Sequence, residues 1–112
     1  MTPQMAQVLV ALALRPMYVY GLMSQCEHDS GGTLVPSIGS IYKMMPKLVA
    51  MGFVIEFGQR YGIASPHMRT YYQLTGLGYK VLGWEGRRLE HLTDVINQRK
   101  VSSFGAKQPR FS

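Results

Sequence analysis

Pro36-Ser37-Ile38-Gly39-Ser40-Ile41-Tyr42-Lys43-Met44-Met45-Pro46-Lys47-Leu48-Val49-Ala50-Met51-Gly52 is the stretch on which the fold of this 112-residue chain turns. Pro36-Ser37 is a helix start, with Ser37 as the N-cap whose hydroxyl accepts from a first-turn amide. Gly52 is a helix stop, because a residue without Cβ enters the left-handed region without steric penalty. Between them, at about 100° per residue, Ile41, Met45 and Leu48 fall on one face and point to a core. Gly39, Lys43, Pro46 and Ala50 lie opposite, with Ser40 and Lys47 on one flank and Tyr42 on the other. The outward face is small or polar, it carries two lysines one turn apart, and the helix has no acid. Pro46 removes the bond its N–H would give to the Tyr42 carbonyl, so the sequence predicts either a bend there or two shorter helices.

Downstream, residues 53–57 (FVIEF) and 69–74 (RTYYQL) are aromatic-rich strands flanking residues 60–68, which have the Gly, Ser and Pro of an exposed loop. Together they make a hairpin with a long tip. Upstream, Thr2-Pro3 opens a first helix. Met5, Val8, Leu9 and Leu12 share one face, yet Val10, Ala11, Ala13 and Leu14 make it apolar almost all round. Such a helix wants burial on two sides, and in a short chain a second subunit is a natural second side. Arg15-Pro16 closes it, a second helix spans about residues 19–29, and Ser30-Gly31-Gly32 breaks the chain again. Thr33-Leu34-Val35 reads as a minimal strand. Thr75 caps a last helix reaching about residue 100, and the tail beyond has no periodicity and is expected to be disordered.

The order is helix, helix, short strand, helix, hairpin, helix: a mainly α chain with a small β-hairpin (α+β). Three helices closing on a hairpin make a winged helix–turn–helix, in which the third helix enters the major groove and the hairpin tip lies along the backbone or minor groove. The expected organisation is a winged module over residues 1–74, a C-terminal dimerisation helix over 75–101 and a tail over 102–112.

Charge agrees with that geometry. The net charge is +6, and between Ser30 and Trp84 the only acid is Glu56, against Lys43, Lys47, Arg60, Arg69 and Lys80. A basic middle favours a polyanion. Small residues let a helix approach the groove floor, lysines reach phosphates or a guanine edge, and Ser37 and Ser40 sit where helix-start amides attract a phosphate. The expected DNA-contacting set is therefore Ser37, Gly39, Ser40, Tyr42, Lys43 and Lys47 on the helix, with Arg60, His67 and Arg69 on the hairpin.

In the last helix Leu82, Leu89 and Ile96 recur every seven residues, with Leu92 at an intermediate position, which is a short coiled-coil-like seam. With Met5, Leu9 and Leu12 of the first helix, these form the expected homodimer surface. Gly83 and Gly86 weaken the helix by about 1 kcal/mol each relative to alanine. They either admit a partner helix closely or leave space beside Trp84. Trp84 is then interface packing or a surface on which a small planar hydrophobic effector stacks, packing being the commoner use of such a residue.

Other chemistries lack their residues. Cys26, His28 and Asp29 cluster in sequence, but residues 26 and 28 lie on different helical faces and no second Cys or His pair completes a zinc site. There is no phosphate-cradling glycine loop, nucleophile elbow or carboxylate pair, so neither an enzyme nor a cofactor or metal is expected. The single cysteine cannot form an intramolecular disulfide, which makes a reducing cytoplasm the default. The apolar run at residues 5–14 is too short to span a bilayer, and no membrane partner is expected.

Three segments in register carry a family resemblance. Pro36-Ser37-Ile38-Gly39-Ser40-Ile41-Tyr42, followed by Leu48, Gly52 and Phe53, is similar to the PSPGTLY…L…GL signature of PadR-like regulators. Arg69-Thr70-Tyr71-Tyr72-Gln73-Leu74-Thr75, then Gly78, resembles their R-K-Y-Y-x-L-T-x-x-G segment, and residues 16–22 (PMYVYGL) resemble P-L-x-G-Y-x-L, with Tyr20 as the matching tyrosine. The likeness runs from about residue 5 to 81. It implies a winged-helix homodimer that binds operator DNA and is released by a small-molecule or stress signal. The short length, with one helix after the wing, resembles the small members, including the lactococcal multidrug-responsive repressor. The chain departs from the pattern at Ile38, at Pro46, at Tyr18-Val19 in place of the usual His-Gly, and at Leu89, which aligns with that repressor's drug-stacking tryptophan.

The leading expectation is thus a homodimeric, sequence-specific, double-stranded DNA-binding repressor responsive to a small ligand. Two alternatives stand beside it: an adaptor for plasmid partition or DNA organisation that uses the same domain without an effector, and a winged-helix protein-interaction module whose basic face meets an acidic partner.

Overall fold

The computed structural model describes residues 1–60 and 68–100. In chain order the elements are α1 (Pro3–Leu12), α2 (Val19–Ser30), α3 (Ile38–Ala50), β1 (Val54–Arg60), β2 (Met68–Leu74) and α4 (Gly76–Lys100). Local signals set their ends. The Thr2 hydroxyl accepts from the Met5 amide at 3.1 Å, and Ser37 does the same for Ser40 at 3.1 Å. Gly52 lies at φ 80, and the bonds from Gly52 N–H to Val49 and from Phe53 N–H to Leu48 close α3 with a left-handed turn.

The hairpin pairs Val54 with Leu74 through to Arg60 with Met68, so both strands run further toward the tip than the aromatic runs predict. The expected strand at Thr33-Leu34-Val35 does not form. Ser30 captures that segment: Thr33 Oγ1 donates to the Ser30 carbonyl at 2.7 Å and the Leu34 amide to Ser30 Oγ at 3.0 Å. Such local side-chain bonds outcompete a ladder only three residues long. Met17 instead meets the hairpin as an isolated bridge to Tyr72, each amide bonded to the other's carbonyl at 3.1 and 2.8 Å.

The core gathers one face from each of α1, α2 and α3 against the inner face of the hairpin. Leu9, Leu22, Ile41 and Leu48 are wholly buried, and each such side chain contributes about 1.5–3 kcal/mol of apolar burial. α3 continues through Pro46 as one helix rather than two pieces. Pro46 stands on the exposed face, while Ile41, Met44, Met45 and Leu48 anchor the opposite face in the core.

The chain divides into two compact units, with the division inside α4 after Leu82. The first turns of α4 belong to the winged unit, eight residues beyond the expected boundary at 74. Thr75 explains it: its hydroxyl donates to the Gly52 carbonyl at 2.6 Å and accepts from the Gly78 amide at 3.0 Å. The Tyr79 hydroxyl also donates to the Ala13 carbonyl at 3.3 Å, and Leu82 is partly buried against the core. Among the described residues no helix is long and apolar enough to cross a membrane.

Candidate nucleic-acid interface

α3 presents the surface that its periodicity predicts. Gly39, Tyr42, Lys43, Pro46, Lys47 and Ala50 are exposed, and Ser40 is half-buried at the helix start. The Ser37 hydroxyl, besides capping the helix, donates to Ser40 Oγ at 3.0 Å. No acid lies on this helix, so its exposed face carries only the positive charge of Lys43 and Lys47. Arg60 closes β1 and Arg69 lies on β2, whereas His67 falls outside the described residues, as does the tail from residue 101.

Arg69 does not stand alone. Its guanidinium lies 4.1 Å from the centroid of the Tyr18 ring, a cation–π contact that fixes a long side chain near the tip end of the ladder, where Arg69 pairs with Gln59. Tyr18 is itself packed against Tyr71, centroids 5.7 Å apart, and Tyr71 stacks on Phe57 at 5.9 Å. Between α2, α3 and β2 opens a recess of about 310 Å3. Tyr18, Val19 and Tyr20 border it from the start of α2, Tyr42 from α3, and Arg69, Thr70 and Tyr72 from β2. Burial, then Glu56 and Tyr42, pushes the Tyr72 phenol above its ordinary pKa.

Of the residues expected at a dimer seam, Leu9 and Leu12 are corrected by the structure: they are 0% and 2% exposed in the subunit's own core and offer nothing to a partner. The all-apolar α1 uses α2 and the hairpin for part of the burial that its sequence demands, and it leaves Val10 and Leu14 outside. Met5 and Leu82 also pack, in part, on that core. In the second unit the outcome differs. Leu89 and Leu92 are each 45% exposed, Ile96 is 47% and Trp84 58%. The Arg88 guanidinium holds Glu85 in a two-bond pair at 3.0 and 2.8 Å and pulls its carboxyl below the usual range.

Among the described residues no three of His, Cys, Asp and Glu come together as a metal group. Cys26 is buried, and burial, helped by Asp29, pushes its thiol up to about 11. Such a thiol is protonated and unreactive at neutral pH.

The sequence reading missed Tyr18, Thr70 and Tyr72 as parts of this surface. Helical or strand periodicity carries no signal for a recess assembled from three elements. Only the Tyr18-Val19 departure from the PadR-like pattern marked the place.

Comparison with known proteins agrees with this architecture. Residues 8–83 match the transcriptional regulator PadR-like family. No curated protein matches the chain. Among solved structures, a PadR family transcription regulator from Clostridium difficile R20291 is similar at a TM-score of 0.74 and 15% identity, covering 87% of this chain and 97% of that one. A transcriptional regulator from Clostridium thermocellum gives 0.72 at 20% identity, over 84% and 89%. Bacillus subtilis PadR, solved in complex with operator DNA, gives 0.65 at 22% identity over 74% of this chain and 46% of that one. At these identities the structural likeness establishes a shared fold, and the match over residues 8–83 establishes membership: this chain belongs to the PadR-like family of transcriptional regulators.

Proposed function

We propose that this regulator binds operator DNA as a homodimer and represses transcription, with α3 of each subunit in successive major grooves and the wing on the adjoining backbone. The observation that carries the reading is the exposed face of α3. It is an acid-free surface of small residues with Lys43 and Lys47, its amino end is capped by Ser37, and Arg69 lies on the neighbouring β2. The Bacillus subtilis relative, whose structure was solved with operator DNA, shares this fold and lends the reading support. In this account Ser37, Gly39, Ser40, Tyr42, Lys43 and Lys47 meet the major groove, and Arg69 meets phosphates.

Pairing of two copies rests on α4. Leu89, Leu92, Ile96 and Trp84 leave close to half or more of their surface in water in the single chain. A stripe of that kind marks an interaction surface. Release by a small planar hydrophobic effector belongs to the same reading, and emission of Trp84, the one tryptophan of the chain, reports its arrival.

The test is a fluorescence-anisotropy titration of the gene's own upstream duplex against a scrambled duplex of equal length. A preference of at least about a hundredfold for the native duplex is expected of a specific regulator. Lys43→Ala is expected to erase most of that preference, whereas Arg69→Ala weakens binding to both duplexes alike. Equal binding to both duplexes by the wild type moves the reading to an architectural or partition role. No binding at moderate salt overturns it in favour of a protein partner.

A further inference from the structure

We infer that the recess at the amino end of α2 seats one phosphate of the duplex backbone, and that Tyr18 is the positioning residue that holds the Arg69 guanidinium toward it. The inference rests on the operator-DNA reading above and names a contact within it.

Tyr18 is the N-cap of α2 in extended conformation, and no side chain caps this helix. The amides of Val19, Tyr20 and Gly21 therefore open α2 without a side-chain acceptor, which leaves partial positive charge at the recess. A helix start alone would mean little, since every helix has one. The second observation is Tyr72. It lines the recess at 6% exposure, and its hydroxyl has no hydrogen-bond partner among the described residues. A buried donor left unmatched is costly, and an oxygen arriving from outside would satisfy it. Glu56, the cross-strand neighbour of Tyr72, acts on its phenol but does not line the recess.

Arg69 supplies the full charge. A free arginine loses several rotors on binding, but a guanidinium already stacked on an aromatic face loses fewer. Tyr18 provides that face, and its ring is held by Tyr71 on one side and by Tyr20, centroids 6.3 Å apart, on another. The exposed Tyr20 and Tyr42 bring hydroxyl donors from α2 and α3. A backbone phosphate fits better than a free anion. The recess is open and bridges α3 and β2, the two elements that the reading lays on DNA, so one seated phosphate ties the recognition helix to the wing.

The experiment is the same anisotropy titration on the native duplex at several salt concentrations, with thermal melts to show that each variant is folded. Arg69→Ala is expected to weaken binding about tenfold and to reduce the salt slope by about 1 per subunit. Tyr18→Ala is expected to lose about threefold to tenfold through the same residue, and Tyr18→Phe, which keeps the ring, restores what Tyr18→Ala loses. The double variant Tyr18→Ala with Arg69→Ala then binds no more weakly than Arg69→Ala alone. Tyr72→Phe weakens binding about threefold and leaves the salt slope unchanged. If Tyr18→Ala melts below the assay temperature, Tyr18→Leu is read in its place. A double variant that loses the product of the two single losses overturns the positioning role, and an unchanged Tyr72→Phe overturns the seat. Both outcomes leave wild-type operator binding intact, whereas failure of the wild type to bind either duplex overturns the operator reading and this inference together.

Discussion

Leu9 and Leu48, in the winged unit, are wholly buried, whereas Leu89 and Leu92, in the unit beyond Leu82, are each 45% exposed. The same residue type serves two purposes. Residues 1–82 close a core from three helices and a hairpin, and carry Lys43, Lys47 and the tyrosines of the recess at their surface. Residues 83–100 are a single helical stretch with an apolar stripe and an exposed Glu85–Arg88 pair, which adds little. The winged unit closes its own core, whereas the stripe beyond Leu82 stays exposed in the single chain.

The contrast is sharpest at two glycines. A Cβ added at Gly78 would collide with the Phe53 carbonyl oxygen and the Leu74 side chain, since the first turn of α4 lies against the backbone just before β1. Gly78→Ala is expected to cost about 3 kcal/mol, visible as a lower urea midpoint with an unchanged slope. A Cβ at Gly86 meets nothing within 4 Å in the single chain. Gly86→Ala is expected to stabilise the helix by about 1 kcal/mol. A loss instead would mean that a partner backbone passes close to Gly86.

How far the sequence carried this account depends on the range of each signal. The Ser37 cap, the Gly52 stop and the inward set of Ile41, Met45 and Leu48 were legible because each is local to one helix. The β propensity of Thr33-Leu34-Val35 is overridden by the Ser30 side chain that captures the segment. Leu9 and Leu12 misled for a different reason: a helix apolar on every side does not reveal which side faces its own domain. The outward face of α3 was readable, but the recess was not, because the contact of Arg69 with Tyr18 joins residues far apart in sequence.

A smaller effect tests how completely the winged unit is sealed. Cys26 is fully buried in its core, and its thiol rises from the ordinary 9.0 to about 11. A group whose pKa is raised on folding gives stability that is whole below the unfolded value and fades as pH climbs through the folded one. Stability is therefore expected to fall between about pH 9 and 11 more steeply in the wild type than in Cys26→Ala, measured as the difference between their urea midpoints. Parallel curves would mean that the thiol reaches water.

The division of labour between the two units is tested most directly by sedimentation and salt titration of the protein on its upstream duplex, wild type against Leu89→Glu. The wild type is expected to bind two chains per duplex, with log K falling linearly against log salt. Leu89→Glu is expected to keep the thermal transition of the winged unit, to place one chain on the duplex at far higher concentration, and to show about half that slope. Two chains per duplex and an undiminished slope in Leu89→Glu would contradict the account, because the exposed stripe of α4 would then have no part in pairing the subunits.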